Sequence, residues 1–217
     1  QHAELEEGAV FAAYRIQKAI VRGSQPHPAN VVESAAMACV EPPDVTYRHR
    51  LPAEVIVEGR ISNLQLEDLI YAGQATSQFL PSGARKGHWN GDGTGIGKGR
   101  ELYAFLYNEY CQGRTKHVHI SASHQLCADA ERDRSALGLP LKILHQAKLK
   151  PAEPIRAEAG VVFTTYTMLA TDFQGDRPRF RQLVEWLGEG FEGVIAFDEA
   201  HLMKNAATTP HGGQATV

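Results

Sequence analysis

Four short apolar runs, separated by longer stretches of mixed polarity, constrain the fold of this chain more than any other feature. The segments HVHIS (117–121), LKIL (141–144), GVVFTTY (160–166) and GVIAFDEAH (193–201) read as strands. Among the intervening stretches, LCADAERDRSALG reads as a helix and RFRQLVEWLGEG (179–190) as an amphipathic one. Strands alternating with helices favour a largely parallel sheet with helices on both faces, because each helix carries the chain back to begin the next strand in the same direction. The expected class is α/β, and 217 residues suffice for one well-packed domain of this kind with a small appendage.

Residues 1–60 are Pro-rich and weakly periodic. SQPHPANVV and VEPPDVTYRHRLP read as extended or turn-like, since Pro fixes φ and restricts the residue before it. Between them, VVESAAMACV fits either a short helix or a strand. We take 1–60 as a partly irregular N-terminal extension and 61–217 as the main domain. A clear helix opens that domain: Ser62 is a good N-cap, Gln65 completes a capping box, and Leu66, Leu69, Ile70 and Gly73 form an apolar stripe that ends by Pro81. A second helix follows a glycine-rich segment, with Leu102, Phe105, Leu106 and Tyr110 on one face and Gly113 as a stop signal.

Composition excludes more than it selects. With 43% hydrophobic and 22% charged residues the chain is ordinary for a globular protein, and a net charge of -3 gives no electrostatic argument for nucleic acid, so any basic groove must be local. No apolar run approaches the ~20 residues of a membrane span. Cys39, Cys111 and Cys127 form no CxxC pair, which fits reduced thiols in an intracellular protein. The start, QHAELEEGAV, lacks the basic and apolar regions of a signal peptide. With no initiator Met and no closing element in ATTPHGGQATV, the expectation is a piece of something longer.

The glycine-rich segment is NGDGTGIGKGR (90–100). A standard phosphate loop reads Gly, four residues, Gly-Lys, then Ser or Thr. Counting back from Gly97-Lys98, Asp92 stands at the first Gly position and Gly99 at the hydroxyl position. Even so, Gly91, Gly93, Gly95, Gly97 and Gly99 free the backbone to turn its N–H groups inward. A helix N-terminus follows, and Lys98 sits where it would reach β- and γ-phosphate oxygens. About a hundred residues later, VIAF runs straight into Asp198-Glu199. A buried parallel strand reads as such a run, and ligands bind beyond the carboxyl ends of such strands. A carboxylate pair there can hold a Mg²⁺ shell through Asp198 and orient a water through Glu199. Each segment alone is common; together in one α/β chain they point to nucleotide binding.

In order and wording these segments resemble the superfamily 2 helicases and translocases, whose motif II reads Asp-Glu-x-His, here Asp198-Glu199-Ala200-His201. The 92–98 segment is similar to the loop of Swi/Snf-type ATPases, where an Asp also replaces the first Gly. Closer still is the resemblance to the strawberry notch family. It rests on HPANVVESAAMACVEPPDVTY, ISNLQLEDLIYAGQ, GDGTGIGKGR, DAERD, VVFTTY and VIAFDEAHLMKN, which appear in family order from about residue 27 to 205. Gly-Lys-Gly-Arg is the usual loop in that family, so Gly99 is expected there.

The resemblance implies a RecA-like P-loop NTPase fold, here the first lobe of a helicase-like translocase or remodeller that hydrolyses ATP with Mg²⁺. It implies that Gly93, Thr94, Gly95, Ile96, Gly97, Lys98, Gly99 and Arg100 bind nucleotide, with Lys98 on the triphosphate. Asp198 would position Mg²⁺ through water, Glu199 would activate the attacking water, and His201 would couple the nucleotide to the nucleic-acid side. Gln65 falls where a Q-motif glutamine reads the adenine edge, although the capping box accounts for it equally well. Arg100 is placed to compensate for the missing hydroxyl, against phosphate or by pairing with an acid. Ser121 to Asp129 lies where motif Ia touches the nucleic-acid backbone. Implied partners are nucleic acid, DNA rather than RNA, and a second RecA-like lobe. The implied source is bacterial or phage and the compartment cytoplasmic, or nuclear if the chain is eukaryotic.

Some residues depart from the pattern. HWN (88–90), the strand expected to enter the loop, is more polar than a central strand should be, and SHQL (123–126) differs from the family's usual motif Ia. His117 and His119 share one strand face without a Cys or acid beside them, a weak metal signal. Motif III and the second lobe are missing, so the sheet is expected to stop before the motif III strand and this segment alone to bind nucleotide weakly with little hydrolysis. The competing reading is a non-catalytic protein-interaction module that retains the fold. Gly99 and HWN favour it; Lys98, Asp198 and Glu199 oppose it.

Overall fold

The computed structural model describes residues 10–151, 153–171 and 176–203. Its regular elements are β1 (Phe11–Ala13), β2 (Val32–Ser34), α1 (Ala35–Ala38), α2 (Ala53–Val57), α3 (Asn63–Thr76), α4 (Lys98–Tyr110), β3 (Lys116–Ser121), α5 (Cys127–Leu137), β4 (Ile143–His145), β5 (Gly160–Thr165), α6 (Tyr166–Ala170), α7 (Pro178–Leu187) and β6 (Ile195–Phe197). The chain forms two compact units, Gln1–Asn108 with Ala136–Gly138, and Glu109–Ser135 with Leu139–Val217. The end of the family-like segment, Lys204 and Asn205, lies outside the described residues. Among the described residues no helix is long and apolar enough to cross a membrane.

In the first unit, the ambiguous stretch VVESAAMACV is both strand and helix. Val32 and Ser34 pair antiparallel with Ala13 and Phe11, and the Ser34 hydroxyl then accepts the Met37 N–H to start the one-turn α1. The N-terminal extension is bound to α3 by the Tyr14 hydroxyl, which donates to Glu67 Oε2 at 2.6 Å, and by the Asn63 N–H, which donates to the Gln25 carbonyl at 2.7 Å. The capping box of α3 is present in full, and Leu66, Leu69, Ile70 and Gly73 are all buried. Gly73 is required by close packing, since a Cβ there would collide with the Tyr47 ring.

Helix α4 departs from the expected stripe. Its buried residues include Glu101, Tyr103, Ala104, Leu106 and Asn108, whereas Leu102, Phe105 and Tyr110 are half-buried. Polar anchors turn the helix. Asn108 Oδ1 accepts the Arg50 N–H and its Nδ2 donates to the Tyr47 hydroxyl, both at 2.7 Å, and Glu101 is fixed by Asn90. The expected HWN strand does not form: residues 88–90 carry no ladder, His88 Nε2 instead meets Asp68 Oδ1 at 2.8 Å, and Trp89 is exposed.

The second unit holds a four-stranded parallel sheet of order β4-β5-β3-β6. This is the α/β architecture expected of a RecA-like lobe, a parallel sheet flanked by helices. β3 and β5 pair along their full length, with Val118 opposite Val162 and His119 opposite Phe163. Val118, Ile120 and Val162 pack with Tyr166 at the start of α6 and with Leu183 and Trp186 of α7 to form the core. On the other face His119 meets Phe163 edge-on, with ring centroids 4.9 Å apart. Burial pushes both His117 and His119 down to about 4, so they pack as neutral rings. His117 Nδ1 accepts the Val194 N–H at 3.1 Å, giving that histidine a structural partner.

Two strands differ from expectation. β4 starts two residues later than LKIL predicts and ends at His145. β6 is three residues long, and its Ile195 and Phe197 are 43% and 48% exposed, so VIAF is not the buried strand its sequence suggests. An apolar run specifies extended backbone; burial depends on which neighbours cover it, and β6 pairs among the described strands with β3 alone.

A buried polar knot closes this unit. Gln146 is fully buried; its Nε2 donates to the Arg179 carbonyl at 2.9 Å and to Gln182 Oε1 at 3.2 Å, while its Oε1 accepts the Thr164 hydroxyl at 2.6 Å. Gln146→Leu leaves the Thr164 hydroxyl buried without its acceptor and should cost about 1–3 kcal/mol in chemical unfolding. Thr164→Val in the same chain should recover part of that loss, and a purely additive double variant would show that the two side chains are not coupled.

Candidate nucleotide site

The glycine loop lies in the first unit. Gly95 and Gly97 adopt φ of 96° and 90°, a left-handed backbone that side-chain-bearing residues enter only with strain. Lys98 is the first residue of α4, and its Nζ folds back to donate to the carbonyls of Asp92 at 2.9 Å and Gly93 at 3.3 Å. Two tight turns followed by a helix N-terminus, with a cation lying over them, form a concave anion cradle of the kind that binds phosphate. Gly99 falls in the first turn of α4 without a hydroxyl to offer. Arg100 NH1 donates to the Arg60 carbonyl at 2.7 Å, joining α4 to the entry of α3.

Gln65 has two duties. Its Oε1 accepts the Ser62 N–H at 3.1 Å within the capping box, and its Nε2 donates to the Ile96 carbonyl in the loop at 2.8 Å. A Cβ on Gly97 would press on that same Nε2, so the second loop glycine is fixed by approach as well as by φ.

Pattern reading missed the acid beneath the loop. Glu101 is 1% exposed, and its Oε2 accepts from Asn90 Nδ2 at 2.8 Å. Asn90 Oδ1 in turn accepts the Asp92 N–H at 3.0 Å. The Asp92 and Glu101 carboxyls hydrogen-bond each other, which requires one of them to carry a proton. Burial is the main cause of a Glu101 pKa pushed up to about 8, and it raises Asp92 as well. The proton keeps negative charge low under a loop built for anions. The 101, 104, 108 spacing of buried positions was the available signal, and a charged residue in the first of them hid it.

The acidic pair lies in the second unit. The Asp198 N–H donates to the Ile120 carbonyl at 2.9 Å, extending the β3–β6 ladder by one residue. Its Oδ2 accepts the Ser121 hydroxyl at 3.1 Å, and its carbonyl accepts the Tyr166 hydroxyl at 2.7 Å. Asp198 thus lies just beyond the carboxyl ends of β3 and β6, the side where open α/β sheets bind ligands. Glu199 has φ 53°, the one left-handed non-glycine among the described residues, and its Oε2 is 3.1 Å from Nδ1 of the exposed His201. Of the expected motif Ia stretch, Ser121 reaches Asp198, while Ser123 caps a short 3₁₀ turn at 124–126 through the Gln125 N–H.

Comparison with known proteins agrees with this arrangement. Residues 26–216 match a family model described as P-loop containing NTP hydrolase pore-1. The chain is 43% identical over 196 residues to Protein strawberry notch of Drosophila melanogaster, covering 86% of the chain and 12% of that protein. It is 41% identical over 213 residues to Protein strawberry notch homolog 2 of Mus musculus, covering 96% of the chain and 15% of that protein. It is 37% identical over 204 residues to Protein FORGETTER 1 of Arabidopsis thaliana, covering 91% of the chain and 16% of that protein. The chain therefore spans 12–16% of the length of these relatives. No solved structure matches it.

The Glu101 proton gives a test of the loop's foundation. The folded protein holds it up to about pH 8, whereas the unfolded chain releases it near the ordinary 4.5, so this contribution to stability is complete below 4.5 and lost as pH rises through about 8. Glu101→Gln keeps an acceptor for Asn90 and a donor for Asp92 without a titrating proton. Its unfolding free energy should vary less between pH 5 and 8 than that of the unmodified protein; parallel pH profiles would show that Glu101 is ionised in the fold.

Proposed function

We propose, for a chain that belongs to the P-loop containing NTP hydrolase pore-1 family and is homologous to the strawberry notch proteins, that Lys98, Asp198 and Glu199 carry ATP hydrolysis in the complete protein. The observation that carries this reading is the loop itself: two left-handed glycines lead directly into a helix whose first residue is a lysine bonded to the loop's own carbonyls. An arriving triphosphate offers that ammonium stronger, charged acceptors than the two carbonyls, and the helix N-terminus adds dipole of the right sign. Gly93 to Arg100 form the cradle, and Gln65 holds it against α3.

The reaction is in-line attack of water on the γ-phosphate. Glu199 orients that water and takes its proton, and His201, 3.1 Å from its carboxylate, couples this acid to the nucleic-acid side. Mg²⁺ fits the donor set at Asp198, a carboxylate already ordered by the Ser121 hydroxyl; with Gly99 in place of a hydroxyl residue, its shell leans on Asp198, phosphate oxygens and waters, and it would neutralise charge on the phosphates. The lobe serves a helicase-like translocase or remodeller acting on nucleic acid, DNA in preference to RNA. Residues 61–217 act as its first RecA-like lobe and, taken alone, bind nucleotide weakly with little turnover.

In the complete protein, Lys98→Ala and Glu199→Gln should each lower ATP turnover by about 100-fold or more, measured with and without DNA or RNA. Glu199→Gln should still bind ATP. Normal hydrolysis by Glu199→Gln would remove the assigned base, and equal turnover with and without both nucleic acids would remove the translocase reading.

A further inference from the structure

A cleft of about 660 Å³ opens in the first unit, within the N-terminal extension and against the start of α3. Its walls include Tyr14, Ile20, Val21, Pro26, His27 and Asn63. That volume lies in the range of small-molecule sites, and an apolar wall with a few fixed polar groups is their usual make-up.

Two of its boundaries converge on one atom of the phosphate loop. The Ile96 carbonyl accepts from Gln65 Nε2 at 2.8 Å, and His27 Nε2 lies 3.2 Å from the same oxygen. The Ala29 N–H donates to His27 Nδ1 at 3.2 Å, which assigns the ring proton to Nε2 and makes that nitrogen the donor to Ile96. The wall of the cleft is therefore hydrogen-bonded to a loop residue two positions before Lys98.

We infer that this cleft takes the purine base and ribose of the nucleotide whose phosphates bind at Gly95 to Lys98, an inference that rests on the nucleotide reading above. A purine has flat apolar faces and an edge of ring nitrogens. Ile20, Val21 and Pro26 supply apolar contact for the faces. Asn63 Oδ1 already accepts the Leu64 N–H at 2.7 Å, which leaves its Nδ2 to donate to a ring nitrogen. Gln65, by contrast, already spends its amide oxygen on the Ser62 cap and a donor on the loop, so recognition of the base falls mainly to the extension.

The test compares ATP with inorganic tripolyphosphate, which has the phosphates without the base. Binding of both is measured by calorimetry on the complete protein and on its Ile20→Glu variant; Ile20 is 75% exposed, so the fold does not depend on it. Ile20→Glu should weaken ATP by about tenfold and leave tripolyphosphate unchanged. An azido-adenine analogue of ATP should photolabel peptides between residues 14 and 32. Equal effects on the two ligands, or labelling confined to other peptides, would overturn the cleft assignment while leaving the phosphate loop standing. Failure of the unmodified protein to bind either ligand would overturn the phosphate loop, and this inference with it.

Discussion

The side-chain amide of Gln65 fixes the first unit's functional geometry. Its oxygen closes the capping box that starts α3, and its nitrogen holds the Ile96 carbonyl of the loop. A glycine-rich loop has many backbone conformations to lose, and ordering each residue costs about 1–2 kcal/mol. A loop tied only to its own flanking elements would meet that cost alone. Anchoring Ile96 to a helix whose own stripe of Leu66, Leu69 and Ile70 is buried shares the ordering with the core. Arg100, bonded to the Arg60 carbonyl, ties the far side of the loop to the same helix entry.

Charge is arranged with the same economy. The Lys98 ammonium rests on neutral carbonyls, while the acid beneath it shares a proton with Asp92. A fully ionised pair at that depth would repel both itself and a polyanion above it. Replacement of the first loop glycine by Asp92 therefore makes sense together with Glu101, as one half of a hydrogen-bonded pair, and not as a tolerated defect.

Much of the fold was legible because it rests on local rules. Ser62 and Gln65 satisfy backbone groups within four residues of themselves, and β3 and β5 are apolar on both faces as buried parallel strands are. Three features were not legible, each for a long-range reason. The face α4 buries is chosen by Asn108 bonding Arg50 and Tyr47, nearly sixty residues away, so its apolar spacing misled. HWN reads as a strand only if something pairs with it, and its side chains bond Asp68 and Glu101 instead. VIAF has strand chemistry, but the exposure of Ile195 and Phe197 depends on neighbours that composition does not encode. At the candidate site, Lys98, Asp198 and Glu199 are visible because motif chemistry is short-range, whereas Glu101 and His27 matter through contacts that span 11 and 69 positions.

The left-handed backbone of Glu199 stores about 1–2 kcal/mol that a free chain would release by rotating its peptide. What opposes that rotation lies mostly outside the turn: the Ile120 carbonyl grips the preceding amide, and the Tyr166 hydroxyl grips the preceding carbonyl. The acidic turn behaves as a loaded spring whose catch sits in β3 and at the head of α6. Damage to that catch would let the carboxylate drift without altering its chemistry, so a lesion in the hydrophobic heart of this unit can masquerade as the loss of an active-site group.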